Sequence, residues 1–160
     1  MAIFRGTYEI SVDGKGRFLL PGAFRKQLPE GAEPKKFVAT QGLNNKYLLL
    51  YTPDVWEPIA ENIAEMDDMD PEVALFKSMF LSPAEDVEAD NAERIIISSS
   101  LLKYAGITKD MVMLSNGNKM ELWDKDTREN FVNQNAPQMP AITGSISQKY
   151  GSPFAKKKND

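Results

Sequence analysis

The apolar positions of the chain form short runs separated by turn residues, and long helical stripes are rare. In the first part of the chain, the runs at Tyr8–Val12, Phe18–Leu20, Lys36–Thr40 and Tyr47–Tyr51 predict four strands, with Phe18–Leu20 expected to be a buried strand. Pro21 predicts a short helix that continues to Leu28, because its missing N–H costs nothing at the first helical position. Short strands interleaved with short helices are typical of an α+β fold.

The second part of the chain repeats this order after an acidic helical segment, residues 53–82. It predicts strands at Asp86–Ala89, Arg94–Ile97, Met111–Leu114 and Lys119–Trp123, a short helix at Ser98–Tyr104, and a last helix from Asp124 to about Asn133. The repetition predicts two tandem half-domains around a compact, barrel-like β core. The expected organisation is a first repeat with the acidic segment at 1–81, a second repeat at 82–133, and a mostly disordered tail at 134–160.

One feature of this repeat carries candidate chemistry. Asp13 and Arg17 lie four positions apart across a predicted hairpin turn, and Asp90 and Arg94 repeat the spacing 77 positions later. The pair can simply staple the turn, which is the reading a single occurrence favours. Because the pair occurs twice in matching contexts, a second reading stays open, in which both arginines project towards one partner.

The chemistry of arginine makes nucleic acid a natural partner under that second reading. A guanidinium can bind guanine edges or phosphate through two hydrogen bonds. The candidate contact residues are Arg17, Lys15, Arg94, Arg5 and Arg25, and the candidate turn residues are Asp13, Gly14, Gly16 and Asp90.

Composition narrows the class of function. The chain has no cysteine and no histidine, which removes disulfides, thiol chemistry, the commonest general base and the commonest metal ligand. We therefore expect no enzyme activity, no metal and no cofactor. The chain contains no run of about 18 apolar residues, so the sequence predicts no membrane span. The net charge of −4 is uneven: residues 1–50 sum to +4, residues 51–90 to −11 and residues 91–160 to +3.

The sequence resembles the MraZ family of bacterial transcriptional regulators over about residues 3–133. The resemblance rests on Phe4-Arg-Gly, Val12-Asp-Gly-Lys-Gly-Arg-Phe-Leu-Leu-Pro, Phe80-Leu-Ser, Tyr104-Ala-Gly-Ile and Glu121-Leu-Trp-Asp-Lys. It implies two AbrB-like swapped-hairpin repeats and a ring of subunits. It also implies binding to short direct repeats in promoter DNA of the division and cell wall gene cluster. By the same resemblance, Asp13, Arg17, Asp90 and Arg94 are the signature residues, with the arginines facing DNA.

The second copy departs from the family pattern. Glu93 replaces the glycine present as Gly16, and Ser98 replaces the proline present as Pro21. Glu93 loses easy access to positive φ and places a negative charge next to Arg94. Residues 82–103 also sum to −3, so phosphate should be repelled there. We therefore expect Arg17 to dominate DNA binding and Arg94 to be weakened or structural.

The sequence thus predicts a cytoplasmic, nucleoid-associated transcriptional regulator, with repression the expected activity. Its expected partners are promoter DNA and further copies of the same chain, with no membrane and no small-molecule substrate. The alternative is a structural or protein-binding oligomer whose DNA binding is weakened, which the acidic total and the altered second copy favour.

Overall fold

The structure is a computed structural model that describes residues 3–31 and 35–156. In chain order its strands and helices are β1 (Thr7–Ser11), β2 (Arg17–Leu19), α1 (Gly22–Arg25), β3 (Lys36–Gln41), β4 (Leu48–Tyr51), α2 (Pro53–Ala64), α3 (Pro71–Phe76), β5 (Glu85–Glu88), β6 (Arg94–Ile96), α4 (Ser99–Ala105), β7 (Asp110–Asn116), β8 (Lys119–Asp124), α5 (Lys125–Asn135) and α6 (Met139–Tyr150). A π turn, Lys77–Leu81, extends α3. None of the described helices is both long and apolar enough to cross a membrane.

All strand pairing is antiparallel and forms two sheets. The larger has the order β1-β7-β8-β4-β3-β5, and the smaller pairs β2 with β6. In the larger sheet, the counterparts in the two repeats are β1 and β5, β3 and β7, and β4 and β8. Exchanging each strand for its counterpart gives the same order read from the other edge, so the repeats are related by a pseudo-twofold axis. Strands of residues 1–81 and of residues 82–125 share both sheets, which places the two repeats in one compact unit that ends at Lys125.

The predicted hairpin across Asp13–Gly16 is wrong in its pairing, although the turn itself is present. β1 pairs with β7, whereas β2 pairs with β6, so the two strands that flank the turn belong to different sheets. Each repeat presents strand edges whose backbone groups are satisfied by the other repeat. By contrast, Asn116–Gly117, a residue pair typical of hairpin turns, joins two strands that do pair: β7 pairs with β8, and Gly117 has φ 66°.

The hydrophobic core lies between the two sheets and the short helices. Phe18 of β2 and Ile95 of β6 join Phe24 of α1 and Leu101 of α4 in one buried cluster with the inner side chains of the large sheet. Every residue of β4 is buried. The other face of this central strand is covered because Tyr51 contacts Trp56 of α2 at a ring distance of 5.4 Å. Trp56 itself is buried, so α2 packs an apolar side chain against this face of the sheet.

The α+β class is confirmed, but the barrel-like core is not. The described strands form an open sheet whose edges are β1 and β5, together with a separate two-stranded ribbon, and they do not close on themselves.

The tail also differs from expectation. The described residues from 126 to 156 belong to a second compact unit, in which helix α6 occupies Met139–Tyr150 where disorder was expected. Pro140 lies in the first turn of α6, where a proline is compatible with a helix, and Ile142, Ile146 and Tyr150 recur at helical spacing. Residues 157–160 of the predicted tail lie outside the described residues.

Candidate nucleic-acid interface

The two Asp-x-x-x-Arg turns have the same hydrogen-bond pattern. Asp13 Oδ1 accepts the backbone N–H groups of Lys15 and Arg17, both at 2.9 Å, and Asp13 Oδ2 accepts Arg17 Nε at 2.8 Å. In the second turn, Asp90 Oδ1 accepts the backbone N–H groups of Ala92 at 2.8 Å and Arg94 at 3.0 Å. Asp90 Oδ2 accepts Arg94 Nε at 3.2 Å. Each aspartate therefore shapes its turn and also orients the arginine four positions later.

Backbone bonds close both turns in the same way. The N–H of Asp13 donates to the carbonyl of Arg17 at 3.0 Å, and the N–H of Gly16 donates to the carbonyl of Asp13 at 3.0 Å. The counterparts run from Asp90 to Arg94 at 2.8 Å and from Glu93 to Asp90 at 3.0 Å. The departures in the second copy therefore leave the geometry of its turn intact.

The hydrogen bonds to the aspartates favour their ionised form. The backbone N–H of Arg17, followed by its side chain, lowers the pKa of Asp13 from an ordinary value of 3.8 to about 2. The backbone N–H of Arg94 is likewise the largest cause of the lowered pKa of Asp90. Both carboxylates are therefore charged at neutral pH, as the ion pairs with the arginines require.

The two glycines of the first turn are not equivalent. Gly16 has φ 80°, and a Cβ built on it would lie 2.5 Å from the carbonyl oxygen of Ile97. Gly14 does not have positive φ, and no atom lies within 4 Å of a Cβ built on it. Of these two candidate turn residues, the backbone conformation and the close packing therefore require glycine at Gly16 and not at Gly14.

Glu93 occupies the position of Gly16 in the second turn. It is the one non-glycine residue with positive φ among the residues that the structure describes, at 62°. Its Oε1 accepts a hydrogen bond from Lys35 Nζ at 3.2 Å, so its charge is paired with that ammonium group. Lys35 therefore reduces the effect of the negative charge of Glu93 on Arg94. The sequence did not predict that Lys35 lies near Glu93.

The two arginines lie on the outer face of the β2–β6 ribbon. Arg17 is opposite Ile96 and Leu19 is opposite Arg94, while Phe18 and Ile95 between them point into the core. The arginine side chains are 34% and 45% exposed, so both are accessible. Leu19 and Ile96 are also exposed, which corrects the prediction of a uniformly buried apolar run. Alternate residues of a strand lie on the same face, so counting two positions along each strand from its arginine would have identified Leu19 and Ile96 as exposed.

The remaining candidate residues have different environments. Lys15 is exposed in the first turn and lines the same open depression as Lys103 of α4, a residue that the sequence analysis missed. Arg25 is half-buried, and its Nε donates to the carbonyl of Leu20 at 3.1 Å, which ties α1 to the end of β2. Arg5 is exposed, and its backbone N–H donates to Gln27 Oε1 at 2.8 Å. Lys15 shares the first turn with Arg17, because the backbone N–H groups of both residues donate to Asp13 Oδ1.

The acidic link between α2 and α3 is engaged in local structure. Asp67 and Asp70 accept backbone N–H groups of Met69 and Glu72, each at 2.9 Å, and Asp68 pairs with Lys77 at 2.7 Å. Among the described residues, no group of three or more acidic side chains is arranged to hold a metal ion.

Comparison with known proteins gives consistent matches along the chain. The profile of the family described as "MraZ protein, putative antitoxin-like" matches residues 3–78 and again residues 80–143. A protein named Transcriptional regulator MraZ from Hydrogenovibrio crunogenus is 33% identical over 154 residues, covering 95% of this chain and 98% of that protein. Proteins of the same name from Enterobacter sp. and Escherichia coli K12 are 32% and 31% identical, each over 92% of this chain and 96% of the relative. This chain belongs to the MraZ family.

Proposed function

We propose that the protein is a DNA-binding transcriptional regulator that contacts promoter DNA through the outer face of the β2–β6 ribbon. The observation that carries the proposal is the presence of two accessible arginines, each oriented by its own aspartate, on this one face. The relatives named Transcriptional regulator MraZ support the same class of function.

The geometry of the arginines suits this task. In each ion pair the aspartate engages Nε, so the N–H donors of the two Nη groups are not used by this bond. Two N–H donors in a fixed plane match the O6 and N7 acceptors of guanine or two phosphate oxygens. A two-stranded β ribbon also fits the major groove of B-DNA. Preorganisation by aspartate reduces the side-chain entropy lost on binding.

Fluorescence anisotropy with the DNA upstream of the chain's own gene tests this proposal. Arg17→Ala should lose about 1–3 kcal/mol of binding free energy for each engaged copy. Lys46→Ala, which removes one exposed positive charge in the turn between β3 and β4, is the matched control and should lose much less. Equal losses in the two variants, or wild-type affinity that does not fall as salt rises, would contradict DNA reading by the ribbon.

We further propose that Arg17 contributes more than Arg94. Both turns hold their arginine alike, so the difference comes from neighbouring charge. Lys15 accompanies Arg17, whereas Ala92 occupies the matching position beside Arg94. The strand that leads into the second turn, β5, carries three carboxylates. Arg94→Ala should therefore weaken DNA binding less than Arg17→Ala, and an equal loss would contradict this ranking.

The proposal includes a ring of subunits that represses the division and cell wall gene cluster by engaging direct repeats, in the cytoplasm and on the nucleoid. Exposed apolar side chains on and beside α3 supply a surface for contact between subunits, namely Met66, Met69, Leu75 and Met79. Adjacent subunits that engage adjacent repeats gain affinity through effective concentration. DNA with several repeats should bind far more tightly than DNA with one repeat, and equal affinities would reject this arrangement.

The second candidate is an oligomer that binds proteins rather than DNA. The charge of −11 over residues 51–90, together with the exposed side chains of Met69 and Leu75, favours it. Salt discriminates between the two candidates, because only phosphate contacts release condensed counterions and weaken steeply with rising salt.

A further inference from the structure

The outer face of the ribbon carries two aliphatic side chains that the core does not use. Leu19 is 55% exposed and Ile96 is 56% exposed, although each lies one residue from a fully buried neighbour on its strand. The two are counterparts in the repeat, 77 positions apart. The face therefore contains an arginine and an aliphatic residue from each repeat, in the same order.

The strand register places these four side chains close together. Arg17 lies directly opposite Ile96, and Arg94 lies directly opposite Leu19. Opposite Cβ atoms in an antiparallel pair are about 4.5–5.5 Å apart, and side chains two residues apart on one strand are separated by about 6.6 Å. Each arginine thus has one aliphatic neighbour across the ribbon and another along its own strand.

The major groove offers a chemical match for this pattern. Guanine presents the O6 and N7 acceptors that an arginine reads, and thymine presents its C5-methyl group, which apolar side chains contact. Bases on one strand rise by about 3.4 Å, so side chains about 6.6 Å apart span roughly two base steps. A face that carried only positive charge would bind phosphate without distinguishing bases.

We propose that Leu19 and Ile96 are specificity-determining residues that contact thymine methyl groups beside the guanines read by Arg17 and Arg94. This inference rests on the proposed DNA-binding function. The aliphatic side chains add no charge, so their contribution is a preference among sequences rather than a general affinity for DNA. This contact gives the exposure of both aliphatic side chains a function, because a thymine methyl group packed against them shields from water the apolar surface that the fold leaves exposed.

The test replaces thymine by deoxyuridine throughout the upstream DNA fragment, which removes the C5-methyl groups and keeps base pairing and phosphates. Wild-type affinity should fall by at least about fourfold, the effect of burying a single methyl group. A variant with both Leu19→Ala and Ile96→Ala should bind the two fragments equally. Leu43→Ala removes a leucine that is also 55% exposed, in the turn between β3 and β4, and should keep the wild-type difference.

Three outcomes would overturn the inference. The first is equal wild-type affinity for the two fragments while Arg17→Ala still weakens binding, in which case the proposed function survives and this inference alone fails. The second is a fragment preference that persists in the Leu19→Ala, Ile96→Ala variant. The third is a change in the oligomer mass of that variant by sedimentation, which would assign the two side chains to contacts between copies. If wild-type protein shows no salt-dependent binding to either fragment, that result contradicts the proposed DNA-binding function itself, and this inference with it.

Discussion

The most informative perturbation of the turn is Gly16→Ala. Gly16 has φ 80° and packs against the second repeat, because its carbonyl accepts the N–H of Ile97 at 3.0 Å and a Cβ on it would lie 2.5 Å from the carbonyl oxygen of Ile97. The substitution therefore tests both the backbone conformation of the turn and the contact between the two repeats at Gly16 and Ile97.

The expected cost follows from three contributions. An alanine in the left-handed region costs about 1–2 kcal/mol. Displacing a backbone carbonyl from a packed position costs about 1–3 kcal/mol, and weakening the hydrogen bond from Ile97 costs about 1 kcal/mol. These overlap, so we expect a loss of about 2–5 kcal/mol in the free energy of unfolding. For a chain of this size that lowers Tm by at least about 4 °C.

Urea unfolding followed by circular dichroism measures this loss, with wild type and variants at one protein concentration because assembly couples to stability. Gly14→Ala is the matched control, since its Cβ would meet open space two residues away. It should change the free energy of unfolding by less than about 1 kcal/mol. If Gly16→Ala and Gly14→Ala shift the midpoint equally, the argument from φ and the Ile97 carbonyl is refuted.

Three other substitutions or titrations follow from the same structure. Glu93→Gly removes positive-φ strain and also the ion pair with Lys35, so its free energy of unfolding should stay within about 1 kcal/mol of wild type, while loss of a negative charge should tighten DNA binding in anisotropy titrations. Asp13 should titrate near pH 2 in carbon-13 NMR. Because the pKa of Asp13 in the folded protein lies below the ordinary 3.8, the contribution of Asp13 to stability is complete above pH 3.8 and is lost as pH falls towards 2. Asp13→Asn should abolish this part of the pH dependence of stability. A titration of Asp13 at pH 3.8 would contradict the turn geometry. Thr40→Val removes the buried hydroxyl that donates to the carbonyl of Phe80 at 2.6 Å, and should cost about 1–3 kcal/mol in urea unfolding, whereas an unchanged midpoint would show that this bond does not hold the π turn on the sheet.

Local features of the fold were predictable because short-range chemistry determines them. The hairpin at Gly117 and the helix that begins after Ser98 follow from turn and capping residues, and the structure has both. Strand pairing was not predictable in the same way. The alternation that identifies β1 and β2 does not say which edges they meet, and here each pairs with a strand of the other repeat. These pairings join residues that are 75 to 107 positions apart, and no local pattern contains that information.

The candidate site shows the same division. The spacing of Asp13 and Arg17 predicted an ion pair, and the pair is present at 2.8 Å. The pairing of Glu93 with Lys35 was missed because the two residues are distant in sequence and meet only through the fold. In the tail, proline and glycine composition indicated disorder, but Pro140 lies where a helix accepts it.

Hydrogen–deuterium exchange of the wild-type protein, with and without its upstream DNA, tests the central claim most directly. The backbone N–H groups of both turns and of the ribbon, residues 13–20 and 90–97, lie beside the face assigned to DNA. We expect DNA to slow exchange in both segments, with the larger effect around Arg17. Protection confined to other parts of the chain, with exchange in both segments unchanged by saturating DNA, would contradict it.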